Sequence, residues 1–121
     1  MQMKILLAFA AVTEGILGLA LLAYPPIVIR LLFDAEIIGV GGLVSRFTGI
    51  ALIGLGVACW PNNSARQQLH GMLTYSALAT LFLVYVGVRG LSLGVLLWPA
   101  VVVHAILIVL LSRARSRESS K

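Results

Sequence analysis

Four long runs of apolar residues, Ile5–Tyr24, Leu43–Trp60, Gly71–Val88 and Leu91–Leu111, constrain this chain more than any motif it contains. Each is close to the ~20 helical residues that cross a hydrocarbon layer about 30 Å thick. Inside such a layer the backbone must satisfy its own hydrogen bonds, which leaves helices or closed barrels. None of the runs alternates apolar and polar residues as a half-wet strand would. They therefore predict four transmembrane helices. Composition agrees, with 60% hydrophobic and 11% charged residues, where a soluble domain carries about 45–50% and about 25%. The expected fold is an all-α membrane protein, an antiparallel four-helix bundle over residues 1–112 with a basic, unstructured tail at 113–121. A soluble globular enzyme is excluded.

The links between the runs carry helix punctuation. Tyr24-Pro25-Pro26 stops the first helix, because proline offers no N–H and restricts the residue before it. Ile27–Ile38 is apolar but holds Arg30, Asp34 and Glu36, which predicts a short interfacial helix or a re-entrant turn. Gly39-Val40-Gly41-Gly42 releases the chain into the second run. Ser64-Ala65-Arg66-Gln67 reads as a capping box that starts the third helix. Arg89-Gly90 predicts a tight hairpin between the third and fourth. The first run is expected to be a retained span and not a cleaved leader: Glu14 interrupts it, and Leu21 with Ala23 makes a poor small-x-small cleavage site.

The net charge of +5 would fit a nucleic-acid partner if it were spread over a surface. Instead Arg113, Arg115, Arg117 and Lys121 follow the last apolar run directly, which is a topology signal and a contact for anionic lipid heads. No nucleic-acid partner is expected. With four crossings both termini share one side. That side collects six basic residues (Lys4, Arg66, Arg113, Arg115, Arg117 and Lys121) against Arg30, Arg46 and Arg89 toward the other. The positive-inside rule then places both termini in the cytoplasm. Trp60 falls near one boundary and Tyr24 and Tyr85 near the other, as aromatic belts do.

Three ionisable residues fall at depth: Glu14, Arg46 and His104. Glu14 lies at the midpoint of the first run; at ~1.5 Å per residue His104 is ~5 Å and Arg46 ~8 Å from the middle of theirs. A charge buried in lipid costs at least ~2.5–3.5 kcal/mol on insertion scales, which makes each a candidate for ligand binding or proton carrying. Ala11, Gly15 and Gly18 flank Glu14, and Ser45, Gly49 and Gly56 form a small-residue stripe beside Arg46. Such stripes let helices approach closely, so the first two spans are expected to pack with a Glu14–Arg46 pair between them. The same pair serves equally well as a device that fixes helix register. Pro99, five residues before His104, is expected to kink the fourth helix and open a pocket near the ring. A histidine satisfied by an interhelical hydrogen bond is the simpler expectation.

Stronger chemistries fail on spacing. His70 and His104 lie at different depths, which excludes a bis-histidine haem. Cys59 is alone, and there is no HExxH, GxSxG, Walker A or Rossmann pattern. No metal, cofactor or catalytic residue is expected, and enzymatic activity is not indicated.

The embedded polar residue of the first helix, the proline-containing link with Leu32-Phe33, and Arg46-Phe47-Thr48-Gly49-Ile50-Ala51-Leu52-Ile53-Gly54-Leu55-Gly56 resemble the DoxX-like group of small bacterial four-helix membrane proteins. The resemblance covers most of the chain. It implies a compact bundle in the bacterial inner membrane; some members are linked to quinone-dependent sulfur oxidation or oxidative-stress complexes. No catalytic pattern carries over. The leading expectation is a non-enzymatic inner-membrane protein that binds a partner protein, a second copy, or a small hydrophobic ligand at a buried Glu/Arg/His cluster. The alternatives are a small proton-coupled transporter or channel subunit, and a quinone-associated subunit of a redox complex.

Overall fold

A computed structural model describes residues 2–90 and 94–120. Among these residues it is all helix and turn, with five helices: α1 Gln2–Ala23, α2 Pro25–Phe33, α3 Gly41–Ala58, α4 Ala65–Val88 and α5 Leu97–Ser119. Four of them, α1, α3, α4 and α5, are long and apolar enough to cross a membrane. Much of their apolar surface stays exposed, including Phe9 at 59%, Phe47 at 72% and Leu81 at 68%. A small bundle with that much bare apolar surface is matched to lipid and not to water.

Proline sets the first boundary. Pro25 and Pro26 end α1 and occupy the first positions of α2, where a missing N–H costs nothing. Of the two structures expected between the first spans, the short helix is the one formed. It closes at Asp34, which takes a left-handed conformation (φ 49°) and donates its N–H to the Arg30 carbonyl. At the next link α4 begins at Ala65, as the capping pattern predicts, but the Ser64 side chain makes no cap bond. Gln68 holds this corner, donating 2.7 Å to the Trp60 carbonyl and accepting 3.3 Å from the Asn62 N–H.

Three expectations about the last span need correction. Leu91, the expected first residue, lies outside the described residues with Ser92 and Leu93; Gly94–Leu96 are not helical, and α5 begins at Leu97. Pro99 therefore sits in the first turn of α5, where its absent N–H is an orphan in any helix, and it breaks no internal bond. The kink expected there has no cause. Nor does the helix stop at Leu111: α5 runs on to Ser119 through Arg113–Arg117. Arginine and alanine favour helix, and basic side chains suit its C-terminal dipole.

Two faces of α1 organise the molecule. On one, Gly18 meets Gly49 and Ala11 meets Gly56 of α3, in opposite sequence order. A Cβ on Gly18 would stand 2.6 Å from the Gly49 carbonyl oxygen, and one on Gly56 would stand 2.7 Å from the Ala11 oxygen. These helices touch backbone to backbone, as the small-residue stripes predict. On the other face Met3, Leu7 and Ala10 pack into a core with Leu69 and Met72 of α4 and Leu107 and Leu111 of α5; Cys59 is buried in it. At the far end α2 is tied to the approach to α5: Leu96 donates its N–H to the Leu31 carbonyl at 2.7 Å, and Gly94 lies so close to the Leu32 backbone that no Cβ fits.

Candidate functional site

The second face of α1 carries Glu14 on the same stripe as Leu7 and Leu21, since multiples of seven residues return to nearly one side of a helix. That stripe points Glu14 at α4 and α5. Its carboxyl is 1% exposed and takes two partners. Tyr75, near the midpoint of α4, donates its hydroxyl to Oε2 at 3.0 Å. His104 of α5 brings Nε2 to 3.3 Å from Oε1. The Tyr75 and His104 rings pack with centroids 6.0 Å apart, tilted by 59°. Three helices thus converge on one carboxyl in the middle of the bundle.

Hydrogen-bond chemistry fixes one ring proton of His104. His104 Nδ1 lies 2.7 Å from the Ala100 carbonyl, which only accepts, so Nδ1 carries a hydrogen. Nε2 stands 3.3 Å from Oε1, and a proton on the ring nitrogen would make the contact an ion pair. The contact is within ion-pair distance but is not aligned as a hydrogen bond. Nε2 and the hydroxyl of Ser76 are buried polar atoms with no aligned partner. Ser76 is fully buried beside Tyr75 in sequence. Buried polar atoms left in this state are uncommon and cost stability wherever they occur.

Of the three residues singled out in the sequence, the structure brings Glu14 and His104 together and leaves Arg46 elsewhere. Arg46 is exposed on α3 and the expected Glu14–Arg46 pair is not formed; among the described residues the basic side chain within ion-pair distance of Glu14 is His104. The reason is helical phase. Gly49 and Gly56 face α1, Arg46 projects to the side of that line, and Glu14 is on the face of α1 turned away from α3. Tyr75 was missed. Its signal was Thr74-Tyr75-Ser76, a polar triplet inside the apolar run Gly71–Val88.

Among the described residues no three His, Cys, Asp or Glu side chains come together as metal ligands would. His70 is exposed on the first turns of α4, and Cys59 is a buried free thiol. No family model, curated protein or solved structure matches the chain.

Proposed function

We propose that this chain is a non-enzymatic four-span protein of the bacterial inner membrane that binds a small hydrophobic ligand through a polar head at Glu14, Tyr75 and His104. The observation that carries the reading is His104 Nε2, a buried atom left without an aligned partner beside a carboxyl and a phenol. A ligand with a carbonyl or hydroxyl head would complete the hydrogen bonding of that layer, and its apolar remainder would match the leucine-rich surroundings. The DoxX-like resemblance supports a quinone as that ligand, which makes the quinone-associated subunit the nearest alternative. The antiparallel, N-in and C-in arrangement is supported by the opposed order of the α1–α3 contacts, by the Arg117–Gln2 hydrogen bond, and by the basic residues gathered at that end.

Native mass spectrometry on the full chain released gently from its own membrane tests the reading, with a short-chain ubiquinone as added probe. A bound mass on wild type that Glu14→Gln and His104→Ala both remove supports it. Bare particles for all three overturn it.

The close approach of two titratable groups, Glu14 and His104, at mid-bundle favours a second reading, a proton-carrying subunit. Proton flux into liposomes that Glu14→Gln abolishes, with helix content unchanged, would select it over ligand binding.

A further inference from the structure

Where α1 begins and α5 ends, the two helices leave a groove of about 320 Å³ between them. Its character changes along its length. Ile5, Leu6 and Leu110 form the apolar part, and Gln2, Arg113 and Arg117 form the polar end. Arg117 is oriented by Gln2, to whose side-chain oxygen it donates at 2.8 Å. Arg113 and Arg117 are four residues apart, so they share one face of α5 and repel each other. Among the described residues neither has an acidic partner within ion-pair distance. A second groove of about 320 Å³ opens on the same two arginines beside Ser112 and Ser116.

Depth gives the pair its meaning. Leu111 is the last residue of the apolar run, so at ~1.5 Å per residue Arg113 stands ~3 Å and Arg117 ~9 Å beyond it. That range is the headgroup layer, just outside the hydrocarbon. A guanidinium fork matches phosphate oxygens bidentately, and two forks around one phosphate remove the repulsion between them.

We propose that this groove seats one anionic phospholipid, with its phosphate between Arg113 and Arg117 and an acyl chain along Ile5, Leu6 and Leu110. The change from cationic to apolar along the groove selects a lipid over a free phosphate, which would leave the apolar wall bare. The site is separate from the Glu14 layer and does not depend on what that layer binds.

The test is native mass spectrometry of the purified full chain in mild detergent, titrated with dioleoyl-phosphatidylglycerol or dioleoyl-phosphatidylcholine. The wild type retains the anionic lipid at least ~10-fold over the zwitterionic one, and Arg113→Gln with Arg117→Gln lowers that retention by ~30-fold. Arg115→Gln, off the groove, keeps the preference. Equal retention of the two lipids by wild type overturns the proposal, as does a double variant that binds like wild type. An equal loss in Arg115→Gln also overturns it, since diffuse surface charge would then suffice. Should the double variant lose its helical spectrum, the wild type still decides: millimolar inorganic phosphate leaves the lipid adducts in place, and their displacement would assign the site to soluble phosphate.

Discussion

His104 Nε2 stands 3.3 Å from Glu14 Oε1 while Nδ1 of the same ring donates 2.7 Å to the Ala100 carbonyl, so the ring joins the α1 carboxyl to the α5 backbone. With Tyr75 on the other carboxyl oxygen, Glu14 is the point at which three spans are cross-linked by polar contacts. Each contact replaces water that the bilayer cannot supply, and each can be tested by removing one partner at a time.

The Glu14–Tyr75 bond predicts a coupling energy. In a double-mutant cycle, Glu14→Ala and Tyr75→Phe should lose about 0.5–1.7 kcal/mol less together than the sum of their separate losses, the range found for hydrogen bonds between spans. Unfolding of each variant in mixed micelles supplies the numbers. Strict additivity would mean that the two side chains do not meet.

Arg46 predicts the opposite result. As an exposed side chain with no role in the buried layer, its change to Gln should shift stability by no more than about 0.5 kcal/mol. A loss matching that of Glu14→Ala in the same assay would restore the pairing that helical phase argues against.

Close approach of α1 and α3 makes Gly18 intolerant of any side chain, since its Cβ would strike the Gly49 carbonyl oxygen at 2.6 Å. Gly18→Ala should cost about 1–3 kcal/mol through overpacking against backbone that cannot step aside. Gly54, on the same pair of helices but with nothing within 4 Å, is the control. Gly54→Ala should be neutral or stabilising by up to about 1 kcal/mol.

Sidedness is directly measurable. Cysteines placed at Arg89 and at Ser116, in a Cys59→Ser background, should label with a membrane-impermeant maleimide from opposite faces of oriented vesicles. Labelling of both from one face would overturn the four-crossing arrangement.

The architecture was legible because lipid imposes a length rule, and each of the four apolar runs overlaps one helix long and apolar enough to span. The α1–α3 contact was legible too, since Gly18, Gly49 and Gly56 advertise close packing by their size alone. The partner of Glu14 was hidden for a physical reason: one helix in a bundle has two neighbours, and small residues mark only the face that needs closeness. Glu14 lies about 60° around α1 from Ala11, enough to hand it from α3 to α4 and α5. The true start of α5 was hidden as well. An apolar residue such as Val95 or Leu96 reads alike in a helix and in an apolar link, and Pro99 marks a helix start as readily as a kink.

A ribosome delivers these helices in order, and that gives the junction of Gly94 with α2 a consequence in time. The carbonyls of Leu31 and Leu32 close a helix made early in synthesis, yet their neighbours, the Leu96 N–H and the bare backbone of Gly94, are made late. Until α5 emerges, the end of α2 lacks these two partners, although Val28 already has Leu21 and Leu52 to pack against. The fifth helix is therefore the one that locks the end of α2, and a nascent chain arrested before Gly94 would hold α2 only by its packing on α1 and α3.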